Sequence, residues 1–373
     1  MHHVSLAQMA VTALLIALLP LSMVWISKDV SKYRKLVWVG VFLTFDLIVF
    51  GAFTRLTDSG LGCPDWPGCY GLANPFLAHE EIKAAESLMP TGPVTMVKAW
   101  IEMIHRYLAM TIGILIVAMA GVSWWQWRKR NPFRRTVSPG YPTLLVFFVC
   151  LQGAFGAWTV TMKLQPVIVT GHLLLGMGLL AMLVWFGGRQ DQALQPLRQS
   201  GAPINVLPHI RWMAFISGLV LVTQLALGAW VSTNYATLAC TEFPLCGGKL
   251  VPEMDFEHGF HLWRELGKTA AGHYLPFSAL TAIHWVHRNF AIVVILVLGY
   301  TAYRAWRVTG LRKVSTWIFA LLALQFASGL ATIYLNFPLA IAVVHNAGAA
   351  GLVLLLTMLN YRAKFLAAPT RTY

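Results

Sequence analysis

Four histidines lie inside long apolar segments, where an ionisable side chain is costly and is usually functional. They are His105 in EMIHRYLAM, His172 in VTGHLLLGM, His287 in HWVHRNFAI and His345 in AVVHNAGAA. A lone histidine in a membrane helix commonly makes only a hydrogen bond to a neighbouring helix. Each of these four, however, lies about six or seven residues inside one end of its segment, roughly 10 Å below the surface at about 1.5 Å per residue. Their common depth favours a shared function.

Paired imidazoles suggest a particular kind of site. Two histidines that face each other across a four-helix bundle are suited to the two axial positions of a heme iron. Zinc and copper sites need three or four converging ligands, and each pair supplies only two. No C-x-x-C-H is present, so a heme would be held non-covalently. The four histidines therefore predict two bis-histidine heme sites.

An arginine follows one histidine of each pair. Arg106 comes directly after His105, and Arg288 comes directly after His287. A buried arginine beside an axial ligand can pair with a heme propionate. It can equally form an interhelical salt link, and the sequence leaves both interpretations open.

A carboxylate accompanies only one of the pairs. Glu102 lies three residues before His105, so the two side chains share a helix face, with Cβ atoms about 5–6 Å apart. At the corresponding position before His287 the sequence has His284. A carboxylate there could transfer protons or stabilise positive charge at an oxidised carbon, or it could only pair with an arginine.

Two loops each contain a C-x5-C pair, Cys63 with Cys69 in GLGCPDWPGCYG and Cys240 with Cys246 in CTEFPLC. Such a pair can be a metal clip, a redox couple or a structural staple. A zinc site would need two more ligands at close spacing, which the first loop lacks. On an oxidising side of a membrane, neighbouring cysteines usually form disulfides. We expect both pairs to be bridged, and Cys150, buried in a span, to stay free.

These residues must be positioned by membrane-spanning helices. The 373-residue chain is 57% hydrophobic and 11% charged. Its apolar runs are long enough to span a bilayer as helices and too long for barrel strands. The spans are expected at 36–54, 99–124, 142–162, 166–187, 211–232, 281–303, 314–334 and 338–359. The earlier segment 6–26 lacks the features of a cleaved signal peptide, so we expect an extra N-terminal helix.

The distribution of charge predicts the orientation in the membrane. The net charge of +14 comes from Lys and Arg clusters in alternate loops, including RKRNPFRR at 128–135. The intervening loops hold most of the acids, which is the positive-inside pattern and argues against nucleic acid as a partner. The C-terminus is then cytoplasmic, and both cysteine loops, 55–98 and 233–280, lie outside.

The chain repeats itself. GAFTRL and GAWVST precede the two cysteine loops at the same offset, and LQGAFGAWT at 151–159 is echoed by LQFASGLAT at 324–332. We therefore predict two pseudo-symmetric four-helix bundles in an all-α polytopic membrane protein. The predicted division is an N-terminal segment 1–35, a first half 36–187, a cytoplasmic linker 188–210, a second half 211–360 and a cytoplasmic tail 361–373.

The stretches TRLTDSGLGCPDWPGCYG and EMIHRYLA, together with the paired histidines, resemble the heme A synthase family. These membrane enzymes convert heme O to heme A for terminal oxidases. The resemblance covers nearly the whole chain from residue 36, and the family fold of two four-helix domains agrees with the repeat. The segment before residue 36 departs from the usual eight helices.

The resemblance implies a role for each histidine pair. His287 and His345, with Arg288, would bind a permanent heme b. The substrate heme O would be bound by the residues of the first half, which are His105, His172 and Arg106. The resemblance also implies a bacterial inner membrane as the location. Heme O synthase, an electron-transfer protein and further copies of the chain are candidate partners.

The resemblance further implies that Glu102 is a catalytic carboxylate and that Cys63 and Cys69 are redox-sensitive. The reaction would be two successive oxidations of one heme O methyl group to a gem-diol, which loses water. A diheme b-type electron-transfer protein, of the quinol oxidoreductase kind, is an alternative, although such proteins usually stack both hemes at different depths in one bundle. A heme transporter or chaperone would need the ligands but not the carboxylate.

Overall fold

A computed structural model describes residues 2–29, 31–129, 138–194 and 206–367. These ranges contain eleven α-helices and no β-strand. The helices are α1 (His2–Ile26), α2 (Lys32–Leu56), α3 (His79–Leu88), α4 (Met96–Arg128), α5 (Gly140–Thr161), α6 (Pro166–Leu194), α7 (Val206–Thr233), α8 (Phe256–Gly259), α9 (Phe277–Trp306), α10 (Arg312–Tyr334) and α11 (Leu339–Ala367). Most of the basic run 128–135, the middle of the predicted linker and residues 368–373 of the predicted tail lie outside the described residues.

Nine helices in the described part of the chain are long and apolar enough to cross a membrane. They include the eight expected spans and the extra N-terminal one, Leu6–Ile26. The two short helices, α3 and α8, lie in the loops that carry the cysteines. The prediction of an all-α polytopic membrane protein with an extra N-terminal helix is confirmed.

The chain divides into two compact units, Met1–Leu183 and Val184–Tyr373. In the first unit, α4 packs against both α2 and α5. Helix α5 is joined to α6 by a hydrogen bond of 2.9 Å from the Tyr141 hydroxyl to the Met182 carbonyl. Helix α6 approaches α2 where a Cβ on Gly176 would lie 3.9 Å from Ile48 Cγ1. Four helices therefore enclose the core of this unit.

The extra helix α1 packs along α4 and α2 in the first unit. Its contact face is made of small or flexible side chains: Met9 is 1% exposed, and Ala13 and Ala17 are fully buried. The Thr111 hydroxyl donates a hydrogen bond of 3.2 Å to the Ala13 carbonyl. Alanines at a helix interface allow close backbone approach, which drives association in a bilayer where burial of apolar surface does not.

In the second unit, each of α7, α9, α10 and α11 packs against two of the others, so that the four helices form a closed ring. A hydrogen bond of 2.8 Å between the hydroxyls of Ser217 and Thr301 links α7 to α9 inside the bundle. The loop helix α8 is tied to this ring by the Trp230 indole, which donates to the Gly259 carbonyl at 2.8 Å. The ring has the same helix order as the first unit.

Candidate functional site

The structure brings the four histidines together in the two predicted pairs. His105 on α4 and His172 on α6 lie in the first unit, within electrostatic reach of each other. His287 on α9 and His345 on α11 have the same relationship in the second unit. All four are partly buried. Each unit therefore presents two imidazoles from two different helices.

A glycine on a neighbouring helix lies against each histidine ring. A Cβ atom added to three of these glycines would come closer to the ring than side chains normally pack, and at Gly329 it would lie in van der Waals contact. The distances from the added Cβ are 3.0 Å from Gly51 to His105 Nε2, 3.2 Å from Gly156 to His172 Cε1, 2.9 Å from Gly228 to His287 Cε1 and 3.4 Å from Gly329 to His345 Cε1. We call these four contacts the glycine notches.

A glutamine one helical turn before the glycine donates a hydrogen bond to the backbone carbonyl of three of the histidines. The side-chain amides of Gln152, Gln224 and Gln325 donate to the carbonyls of His172, His287 and His345 at 3.1, 3.2 and 2.7 Å. The corresponding position in the fourth notch, before Gly51, is Leu47. Sequence reasoning missed these glutamines and glycines, although several of them lie in the echoed stretches GAFTRL, GAWVST, LQGAFGAWT and LQFASGLAT.

The residues present fit a heme in each unit. Each pair supplies two imidazoles, and the glycine notches leave room for their rings between the helices. Nδ1 of His172 and Nδ1 of His287 are buried and have no hydrogen-bond partner in the described structure. Within the part of the chain that the structure describes, no group of three or more His, Cys, Asp or Glu side chains converges as it would for a bare metal ion. The donor set is that of an axially ligated heme iron.

The carboxylate of Glu102 anchors the first cysteine loop. It is 4% exposed and accepts a hydrogen bond of 2.8 Å from the Cys63 backbone amide. Its other oxygen pairs with Arg106, which lies four residues further along α4. Arg106 in turn donates to the carbonyls of Pro67 and Gly68 at 3.1 and 2.6 Å. The ion pair with an arginine, one of the alternatives above, is therefore present. We call Glu102 and Arg106, with their hydrogen bonds to the cysteine loop, the loop clamp of the first unit.

The second unit holds its cysteine loop in the same way without a carboxylate. The Cys240 amide donates to Nδ1 of His284 at 3.2 Å. Arg288 donates to three loop carbonyls, those of Glu242, Pro244 and Leu245, at 2.6, 3.1 and 3.1 Å. Both arginines thus bind loop carbonyls, a role that the sequence did not suggest because backbone acceptors in a loop have no sequence signature.

Both cysteine pairs are disulfide-bonded, as predicted. Cys63 with Cys69 and Cys240 with Cys246 each bring their Cα atoms to 4.9 Å. Cys150 is free, also as predicted, but the expectation that it is buried is wrong: its side chain is exposed on α5. The thiol therefore takes no part in the core of this unit.

The first disulfide loop is closed by a short polar turn. The carboxylate of Asp65 accepts hydrogen bonds from the backbone amides of Tyr70 and Gly71 at 2.7 and 2.6 Å. Burial raises the pKa of the Tyr70 phenol, and the nearby charges of Asp65 and Glu81 add to this effect. The two amide hydrogen bonds to Asp65 hold the turn between the cysteines closed.

These features define a helical membrane protein of many spans with two paired-histidine sites and two clamped disulfide loops. Residues 34–358 match the family described as cytochrome oxidase assembly protein, and the chain belongs to that family. Helix α1 lies outside the matched residues.

Relatives of the chain have a more specific name. It is 38% identical over 330 residues to a heme A synthase of Shewanella oneidensis, covering 88% of this chain and 96% of the relative. A heme A synthase of Caulobacter sp. is 28% identical over 86% of this chain and 93% of its own. One from Symbiobacterium thermophilum is 31% identical over 76% of this chain and 79% of its own.

Proposed function

We propose that this chain is a heme A synthase, an oxidoreductase that converts a methyl group of heme O to a formyl group. The observation that carries the proposal is the pairing of two imidazoles in each unit. The chain is also 38% identical to a relative of that name, over 96% of the relative's length. Each hydroxylation replaces a C–H bond with a C–O bond in a two-electron oxidation. The second gives a gem-diol, which loses water to leave the aldehyde.

We assign the substrate to the first half, 36–187, and a resident heme b to the second, 211–360. His105 and His172 would hold heme O, and His287 and His345 would hold heme b, which supplies one-electron transfer when bound. The support for this order is a difference in chemistry between the two loop clamps. Only the first has a carboxylate, Glu102, where the second has His284.

Glu102 is the proposed catalytic carboxylate. Its two oxygens have three partners, the Cys63 and Gly62 backbone amides and the Arg106 guanidinium, whereas a carboxylate offers about four acceptor sites. The free acceptor capacity would take a proton from the hydroxylated carbon or stabilise positive charge on it. Arg106 and Arg288, each next to a ligand histidine, would add positive charge on the propionate side while holding the loops.

The proposed location is the bacterial inner membrane, with the cysteine loops on the periplasmic side and the C-terminus in the cytoplasm. The support is the clustering of Lys and Arg in the other loops. Heme O synthase is the proposed source of the substrate, and an electron-transfer protein is the proposed redox partner. Assembly into a homo-oligomer is part of the same proposal.

The test is the heme content of membranes from cells that lack or overproduce this chain. A heme A synthase predicts that heme O accumulates without heme A when the chain is absent, and that heme A returns with the gene. Unchanged heme A in its absence would contradict the proposal. A diheme electron-transfer protein would leave the ratio of heme O to heme A unchanged, and a heme transporter would change total heme instead.

A further inference from the structure

The two units hold their histidines with different numbers of polar contacts. His345 is held at three points: Gln325 donates to its carbonyl at 2.7 Å, Ser328 Oγ lies 2.8 Å from its Nδ1, and Gly329 faces its Cε1. His172, at the matching place in the first unit, has the glutamine and the glycine but no partner for Nδ1 in the described structure.

Ser328 is placed to select one tautomer of His345. Its Oγ lies within hydrogen-bond distance of two groups, the Gln325 carbonyl at 3.2 Å and His345 Nδ1 at 2.8 Å. Because the hydroxyl has one proton, donating it to the carbonyl makes the oxygen the acceptor for Nδ1–H. A proton on Nδ1 leaves Nε2 unprotonated, which is the form that can ligate iron. An acceptor on Nδ1–H also fixes the ring orientation and makes the imidazole a stronger ligand.

The first unit replaces this serine with an aromatic ring. When LQGAFGAWT is aligned with LQFASGLAT, Phe155 takes the position of Ser328. The Phe155 ring lies over Gly171, the residue before His172, so closely that a Cβ there would be 2.7 Å from Cε1 of the ring. In the second unit, the residue before His345 is Val344. The first unit thus has a large side chain, Phe155, where the second has the small Ser328. It has no side chain, at Gly171, where the second has Val344.

We propose that Ser328 is a positioning residue that makes the second heme site permanent, and that Phe155 leaves His172 loosely held so that the first site can exchange its heme. The inference rests on the proposed function, because a synthase must release heme A from one site and keep heme b in the other. The first unit is also the one in which Leu47 stands in place of the glutamine, so no glutamine amide donates to the His105 carbonyl from this position.

The test compares Ser328→Thr with Ser328→Val in purified full-length protein. The two side chains have the same shape, but only threonine keeps the hydroxyl. The valine variant should lose b-type heme to added apomyoglobin roughly tenfold faster than the threonine variant. Its midpoint potential should shift to a more positive value, because a weaker imidazole donor stabilises ferric iron less. Equal rates and equal potentials in the two variants would overturn the inference.

The reciprocal test builds the second-unit arrangement into the first. The double change Phe155→Ser with Gly171→Val is made in protein that also carries His287→Ala, so that only the first site holds heme. Transfer of that heme to apomyoglobin should slow about tenfold relative to the His287→Ala protein. An unchanged transfer rate would overturn the role given to Phe155. Unmutated protein that retains no b-type heme would instead refute the proposed function itself.

Discussion

The backbone amide of Cys63 donates a hydrogen bond of 2.8 Å to the carboxylate of Glu102, three residues before the predicted ligand His105. In the second unit the Cys240 amide makes the equivalent bond to His284, three residues before His287. Two chemically different side chains therefore anchor the two disulfide loops at the same place. Anchoring alone does not require a carboxylate, which is why we propose a catalytic role for the one in the first unit.

The first prediction separates anchoring from catalysis by changing Glu102 to His. The histidine copies the second-unit clamp and keeps an acceptor for the Cys63 amide. Heme A formation should fall about 100-fold or more, the usual contribution of a positioned acid or base, while the b-heme spectrum stays intact. Heme extraction and visible spectra measure the two quantities.

Glu102→Gln is the near-isosteric companion of this variant and should behave in the same way. Disulfide mapping of both proteins checks that the first loop is still closed. Heme A formation at the parental rate in both variants would mean that Glu102 serves only as an anchor.

The second prediction concerns the glycine notch at His287. In Gly228→Ala the new Cβ would lie 2.9 Å from His287 Cε1, so the ring must move. The purified variant should lose most of its b-type heme, measured by the pyridine hemochrome spectrum. Gly218→Ala on the same helix is the matched control, because nothing lies within 4 Å of a Cβ there. Equal heme loss in both variants would contradict the role given to the notch, because alanine favours a helix at both positions.

The third prediction concerns the assignment of the two hemes. His287→Ala and His345→Ala should each remove most of the resident b-type heme, because each leaves the iron with one axial ligand. His105→Ala and His172→Ala should keep that heme and abolish heme A formation. The opposite pattern of heme retention would reverse the assignment of the two units.

The fourth prediction concerns the cysteines. Alkylation followed by peptide mass analysis of protein isolated in air should find Cys63 bridged to Cys69 and Cys240 bridged to Cys246. Cys150 should be alkylated without reduction, because its side chain is exposed on α5. Five alkylated thiols in unreduced protein would contradict both bridges.

The fifth prediction concerns the extra helix α1. Ala13 is fully buried against α4, and Leu14 beside it is 49% exposed. Ala13→Phe should lower the midpoint of thermal unfolding in detergent, because overpacking costs about 1–3 kcal/mol. Leu14→Phe, which adds the same ring to the outer face, should leave the midpoint unchanged. Equal midpoints in the two variants would mean that α1 does not dock in solution as described.

Most of the fold could be predicted from the sequence, because hydrophobic length alone limits what can cross a bilayer. The segment 6–26, predicted to be a helix, is a helix that packs on α4. The bridging of Cys63 with Cys69 followed from their spacing and the expected oxidising side. Histidine pairing followed from common depth and from the repeat.

The surroundings of the histidines could not be predicted in the same way. Arg106 was read as a partner for a propionate or a neighbouring helix, but it binds loop carbonyls that carry no side-chain signal. Cys150 was expected to be buried because its span is apolar, yet apolar side chains face lipid as readily as protein. Gly228 was visible as part of a repeated stretch, but only the packing of helices gives it a role.

The spacing of glutamine and glycine gives a pattern that can be sought in other membrane proteins. One turn of helix separates Gln152 from Gly156. The same spacing separates Gln224 from Gly228 and Gln325 from Gly329. The amide reaches a histidine carbonyl on the next helix while the glycine faces the ring. A Q-x-x-x-G in one span, followed by a mid-span histidine in an adjacent one, would therefore mark a helix pair built to hold an imidazole, even where overall similarity is undetectable.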